Sequence, residues 1–336
     1  MPWAGEKDPY KIWLSEVILQ QTRVEQGLQY YNRFIQEYPN VITLAQASDN
    51  DVFKLWEGLG YYSRCKNLLH TARFIATAFG GKFPATYDEI RQLKGVGPYT
   101  AAAVASFAYN LPYAVVDGNV NRVLARYFGL DTPIDSTAGK KLFTGLATQL
   151  LDIKKAGVYN QAIMDFGATV CKPQLPLCTA CPLQDHCAAY LEGRVQELPV
   201  KEKKIKKVHR WFYYIVAESR ERVLVNKRTG KDIWQNLHEF VLIEANNHTE
   251  REGFLQHEAL QQVATHGFTV ISESRVYKQQ LTHQTIHAIF IRVKTKRTPA
   301  PEGMQWVSKQ ALAKLAFPRL INAFLEDEYA CKALPG

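Results

Sequence analysis

Apolar residues recur at three- and four-residue spacing through the first half of the chain, then give way to short apolar runs in the last third. The helical pattern holds from Asp8 to about Val170. It is clearest in "VEQGLQYYNRFIQEY", "SRCKNLLHTARFIATAF" and "AGVYNQAIMDFGATV". Asp8 and Pro9 predict its start, because Asp caps the first amides and Pro fits the first turn. Beyond Arg210 the texture changes. "WFYYIVAE", "RVLVNKR", "HEFVLIEA" and "TIHAIFIRV" are rich in β-branched and aromatic residues and predict strands. "REGFLQHEALQQVATHG" and "SKQALAKLAF" predict helices among them. The pattern therefore divides into an all-α domain over 1–192, a basic linker over 193–208 and an α+β domain over 209–330.

Composition adds a partner class. The 336 residues carry a net charge of +9 and 46% hydrophobic residues, which is globular composition with a basic excess that suits a polyanion. The lysines of "KEKKIKKVHR" fit a solvated linker or one that touches phosphates. No apolar run approaches the ~18 residues of a membrane helix, and no charged start leads into a signal core. A soluble intracellular protein is expected. The helical pattern is already under way at Tyr10, so a missing upstream segment is also an expectation.

Four of the six cysteines fall in one window, "CKPQLPLCTACPLQDHC", as Cys171, Cys178, Cys181 and Cys187. Disulfides do not suit an intracellular chain. Four thiolates on one short loop point to a metal. Structural zinc sites usually pair two Cys-x-x-Cys hairpins, and only one such pair is present; an iron–sulfur cluster fits the same ligands. Cys65 and Cys331 are isolated and receive no role.

Two carboxylates stand out. On a helical wheel of "YKIWLSEVILQQT", Glu16 falls between two apolar faces, with Gln20 beside it. A carboxyl flanked by apolar side chains has a raised pKa, as a general acid requires, although a hydrogen-bonded structural Glu fits too. Asp117 opens a helix in "AVVDGNVNRVLAR", where Asp is ordinarily a cap. One neutral and one ionised carboxyl are what glycosidic cleavage uses. A third feature is "LKGVGPYTAAAVASFAY", where a Gly-x-Gly turn runs into small residues with Tyr99 at the junction. It reads as a tight turn before a packed helix, or as a backbone clamp for a phosphate.

"LSEVILQQT", "GLGYYSR", "LKGVGPYTAAAVASFAY", "VVDGNVNRVLAR" and the four-cysteine loop occur here in one order. That set resembles the adenine DNA glycosylases of the MutY family, within the helix-hairpin-helix superfamily that includes endonuclease III. The resemblance covers nearly the whole chain. It implies an all-α helix-hairpin-helix glycosylase domain with a 4Fe-4S loop at 171–187, then a Nudix-like α+β domain. Its substrate would be double-stranded DNA with adenine opposite 8-oxoguanine or guanine, the adenine being flipped out of the stack.

Carried onto these residues, Glu16 would protonate adenine N7 and Asp117 would stabilise the sugar cation, supported by Asn119. The four cysteines would hold a 4Fe-4S cluster. Gln21 and Tyr61 would wedge into the DNA, Gly95 and Gly97 would face a phosphate, and Trp3 and Leu19 would wall the base pocket. Thr282 and His283 would read the lesion. Tyr99 occupies the position where strand-cleaving relatives carry lysine; a tyrosine forms no Schiff base, so base removal without efficient strand cleavage is implied. A monomeric, cytoplasmic bacterial protein used at the nucleoid is expected.

Five departures accompany the resemblance. The residue after Trp3 is Ala4 rather than Arg, and the family's preceding helix is missing. Leu281 replaces the Phe of the usual Phe-Ser-His reading loop. The cysteine loop has only Lys172 as a basic residue before Cys178. The C-terminal domain lacks a Gly-x5-Glu-x7-Arg-Glu box, so it reads as a recognition module rather than a second enzyme. Two competing readings are an endonuclease III-like glycosylase and lyase, and a cluster-bearing protein that binds DNA without cutting it.

Overall fold

A computed structural model describes residues 5–202, 207–245, 256–297 and 299–329. The chain packs as two units. The first comprises 1–46 and 66–204, and the second 47–65 and 205–336. The segment 47–65, expected to lie wholly in the helical domain, thus packs with the C-terminal half.

The first unit is helical. Its elements include α1 (Pro9–Leu19), α2 (Val24–Glu37) and α3 (Val41–Gln46). Then α4 (Asp49–Leu55) lies in the second unit and α5 (Tyr62–Ala78) runs back into the first, which continues with α6 (Tyr87–Gln92), α7 (Pro98–Tyr109), α8 (Gly118–Phe128), α9 (Thr137–Leu150), α10 (Ala156–Thr169) and α11 (Ala188–Leu191). Asp8 caps α1 as expected, its Oδ1 accepting the Tyr10 amide at 2.9 Å. The alanine run keeps α7 slim: Ala101 to Ala105 are all buried, and α1, α6 and α10 pack around it. Val120, Leu124, Phe143 and Met164 complete that core.

The second unit is built on a mixed sheet of β1 (Val208–Ser219), β2 (Arg222–Lys227), β3 (His238–Glu239), β4 (Val241–Ala245), β5 (Phe268–Glu273), β6 (Tyr277–Gln280), β7 (Gln284–Thr295) and β8 (Met304–Ser308). The order along its main path is β3-β2-β1-β7-β5, with β1 and β7 parallel at the centre. Both faces are covered, so β1 is buried without alternation from Phe212 onward. One face holds Tyr213, Ile215, Ile289 and Ile291 against Leu260 and Val263. The other is aromatic, with Phe290 stacked on Phe324 at 4.0 Å between centroids. Of the predicted helix over 251–267 the described part is helical only at Glu258–Val263, and "SKQALAKLAF" forms a 3-10 turn at Lys309–Lys314. Helix α4 belongs to this unit through side chains. Lys54 Nζ donates to the Leu315 carbonyl at 3.0 Å, and Glu57 Oε1 accepts the Phe317 amide at 2.7 Å.

Candidate active site

Helix α1 is buried on nearly all sides, from Tyr10 to Ile18 apart from Lys11. The expected gap between two apolar faces is therefore closed, and Glu16 lies in the interior at 3% exposure. Tyr99, in the first turn of α7, hydrogen-bonds to the Glu16 carboxylate, and Gln20 Nε2 donates to Thr100 Oγ1 at 3.2 Å. The two helices thus bring the carboxyl and the tyrosine together. Burial pushes Glu16 up to about 7; the Tyr99 hydrogen bond draws it down, and the charge of Asp117 lifts it. At neutral pH about half of such groups hold a proton.

Asp117 is both a cap and a cavity wall. Its Oδ1 accepts the Val120 amide at 2.7 Å at the start of α8, while Oδ2 accepts from Asn119 Nδ2 at 2.8 Å. Burial raises its pKa as well. Val120, Asn119 and the Arg122 charge oppose that rise by favouring the carboxylate.

Two residues that the sequence reading passed over support this arrangement. Arg122 Nη2 donates to Asn119 Oδ1 at 2.8 Å and to the Gly167 carbonyl at 2.6 Å, and its Nε reaches the Cys171 carbonyl at 2.7 Å. Gly167 is required here, since a Cβ on it would sit 2.7 Å from Asn119 Cβ. Arg126 lies one turn further along α8 and is buried too. Two basic residues four apart among "VNRVLARY" were the available signal: they fall on the buried side of the helix.

A cavity of about 590 Å³ is lined by Glu16, Leu19, Gln21, Tyr99, Asp117 and Asn119, among others. A second, of about 290 Å³, shares Glu16 and Asp165 with it and adds Gln161 and Phe107. Gln161 Nε2 donates to Asp165 Oδ1 at 2.9 Å, and this pair was also missed; its signal was two polar residues four apart within the apolar pattern of α10. Leu19 lines the first of these cavities. Trp3 and Ala4 lie outside the described residues.

The Gly-x-Gly turn is a tight one. Gly95 has φ +82, and a Cβ there would meet Asn67 Cβ at 2.7 Å. Gly97 caps α7 without a side chain, leaving the first amides of that helix to another acceptor.

The cysteine loop follows α10. Cys171, Cys178, Cys181 and Cys187 are all free and half-buried. Burial and the neighbouring Cys171, Cys187 and Cys181 push the Cys178 thiol up, so the four face one locality. Among the described residues, no three His, Cys, Asp or Glu side chains form a group that would hold a single metal ion. The all-sulfur donor set, with Arg126 Nη1 donating to Cys171 Sγ at 3.4 Å, has the chemistry of an iron–sulfur centre.

In the second unit, Leu281, Thr282 and His283 form the turn between β6 and β7, closed by the Leu281 amide on the Gln284 carbonyl at 2.8 Å. The Thr282 hydroxyl shares a hydrogen bond with the Tyr61 hydroxyl. Tyr61 has φ 49, and in the first unit Gln21 has φ 57. Non-glycine residues seldom adopt this left-handed conformation, and such residues cluster at functional sites.

Turn, carboxylate pair and helical scaffold define a helix-hairpin-helix base-excision glycosylase. Residues 14–149 match the family described as HhH-GPD superfamily base excision DNA repair protein, and residues 212–327 match the NUDIX domain. The solved structure of a thermostable thymine-DNA glycosylase aligns with a TM-score of 0.53 and 30% identity over 57% of this chain and 88% of that one. An endonuclease III–DNA complex shares the fold, with a TM-score of 0.50 and 22% identity over 56% of this chain and 86% of that one. The adenine DNA glycosylase of Buchnera aphidicola subsp. Baizongia pistaciae is 37% identical over 240 residues, which cover 70% of this chain and 67% of that protein. The mouse adenine DNA glycosylase is 45% identical over 211 residues, 59% of this chain and 41% of that protein. The chain belongs to the adenine DNA glycosylase family. It is a base-excision repair enzyme that acts on DNA and hydrolyses the N-glycosidic bond of adenine. Among the described residues, no helix is long and apolar enough to cross a membrane.

Proposed function

We propose that the substrate is adenine opposite 8-oxoguanine or guanine, excised by acid-assisted hydrolysis without strand cleavage. The carrying observation is the buried Glu16 carboxyl, titrating near 7 beside Asp117 in a cavity whose described walls hold no lysine. A flipped nucleoside would enter that cavity, which falls within the usual size of a ligand site. Glu16 gives its proton to adenine N7, and the C1′–N9 bond breaks as adenine leaves. Asp117, held by Asn119, faces the resulting sugar cation. Water then adds to C1′ while the Glu16 carboxylate takes its proton, which restores the acid. Asp165 and the Gln161 amide oxygen are acceptors suited to the adenine N6 amino group. Tyr99 supplies no amine, so the abasic strand stays intact.

Thr282, bonded to Tyr61, supports a role for that turn in reading the base opposite the adenine, with His283 exposed beside it. The strained Tyr61 and Gln21 backbones fit residues that wedge between bases, and the Gly95–Gly97 turn fits a phosphate contact. Cys171, Cys178, Cys181 and Cys187 would hold a 4Fe-4S cluster, which supplies a structural cross-link and a redox-active centre when bound. The protein would act as a monomer on the chromosome, in the cytoplasm.

The test is a single-turnover assay on a labelled duplex with adenine opposite 8-oxoguanine, read with and without hot alkali. Breaks that need alkali are expected. Breaks without alkali overturn the reading of Tyr99. No base release despite intact, salt-sensitive binding overturns the assigned substrate.

A further inference from the structure

Arg126 is 3% exposed, and its guanidinium meets no carboxylate among the described residues. Nε donates to the Leu198 carbonyl at 3.0 Å, and Nη2 to the Pro173 carbonyl at 3.2 Å. Nη1 donates to the Lys172 carbonyl at 2.7 Å and to Cys171 Sγ at 3.4 Å. The far end of the loop touches the same residue, since Cys187 Sγ donates to the Arg126 carbonyl at 3.5 Å. A guanidinium stays charged inside a protein, and a buried charge without a counter-charge is costly. Carbonyl oxygens satisfy its donors without neutralising it. The remaining partner is sulfur, and the four cysteines of the loop become anionic on binding metal. Four thiolates outnumber the positive charges of a 4Fe-4S core, leaving the centre net negative.

We propose that Arg126 is the built-in counter-ion of the four-cysteine centre, setting its reduction potential and making the loaded protein more stable than the stripped one. The inference rests on the cluster reading above. A positive charge beside the centre favours its more reduced, more negative state, so it raises the potential. In the stripped protein the same charge is buried uncompensated and works against the fold. Arg126 lines neither cavity, which makes it a positioning and tuning residue rather than a catalytic one.

The experiment compares Arg126→Met, which removes the charge at similar length, with Arg126→Lys, which keeps it. Iron per chain and visible absorbance are measured first, then the reduction potential by protein-film voltammetry, then unfolding after the metal is stripped with a chelator. Arg126→Met is expected to lower the potential and lose iron faster, yet to unfold later than wild type once both are stripped. Arg126→Lys is expected to keep the wild-type potential. Equal potentials in wild type and Arg126→Met at equal iron content overturn the proposal. So does a lowered potential in Arg126→Lys, which also decides the matter should the Met variant fail to fold. A wild-type protein without iron or visible absorbance overturns the cluster reading instead, a separate result.

Discussion

Replacing Tyr99 with Phe tests the acid where it is most exposed to error. Glu16 titrates near 7 because burial outweighs the Tyr99 hydrogen bond, which favours the carboxylate. A hydrogen bond to a charged group is worth ~1.5–3 kcal/mol. At 1.36 kcal/mol per pH unit, its loss lifts the Glu16 pKa by ~1–2 units. The reaction needs Glu16 protonated, so wild-type activity falls as pH rises through about 7. In Tyr99→Phe that alkaline limb moves to about 8 or above. The assay is single-turnover adenine release from a duplex with adenine opposite 8-oxoguanine, from pH 5.5 to about 9, under enzyme excess and constant ionic strength. The limb's position is read rather than its height, because loss of the hydroxyl also changes the rate. A limb that stays in place, or shifts toward acid, refutes Glu16 as the titrating acid or Tyr99 as its donor.

Four further outcomes follow from the same geometry. Glu16→Gln lowers single-turnover base release by roughly 10²–10⁴-fold. It also stabilises the fold at alkaline pH. Glu16 has a folded pKa above its unfolded 4.5, so wild-type stability is full below 4.5 and declines as pH rises to about 7. The loss, about 3 kcal/mol, is absent from the variant and is read by urea unfolding of both proteins at pH 5 and about 8. Arg122→Gln frees Asn119 and the Cys171 carbonyl, so it slows base release while leaving affinity for an undamaged duplex unchanged; equal rates in variant and wild type would show that the Asn119 contact is incidental. Gly95→Ala drives a Cβ into Asn67 at a positive φ and weakens DNA binding for every duplex sequence, with a shallower salt dependence by fluorescence anisotropy. Thr282→Ala narrows the rate ratio between adenine opposite 8-oxoguanine and adenine opposite guanine, measured under enzyme excess; an unchanged ratio removes Thr282 from lesion reading.

Several helices of the first unit were legible from a cap, as at Asp8 and Asp117. Strand β1 was legible from its aromatic and β-branched density alone. Strand β6, "YKQQ", was not: only its Tyr is a good strand former, and pairing with β7 supplies what propensity lacks. Strand β8 and the helix Arg319–Tyr329 were missed too, the strand because five residues give too short a pattern. Glu16 was found as an acid in an apolar setting, but its full enclosure depends on α7 and the other packed helices, which no wheel of α1 displays. Arg122 and Arg126 escaped for the opposite reason. Surface arginines are ordinary on a helix, and only the folded cysteine loop shows that both point inward.

The segment 47–65 has a practical consequence for anyone dividing this enzyme into parts. A scissor cut between Lys204 and Ile205 looks natural in a gene, since it separates two recognisable families of sequence. In the folded chain, that cut leaves Lys54 and Glu57 on one fragment and their partners Leu315 and Phe317 on the other. Two pieces expressed together would therefore have a reason to find each other again, and a fragment ending at Lys204 carries an unmatched strip of former interior. The enzyme's modularity is clean in its code and interleaved in its folded form.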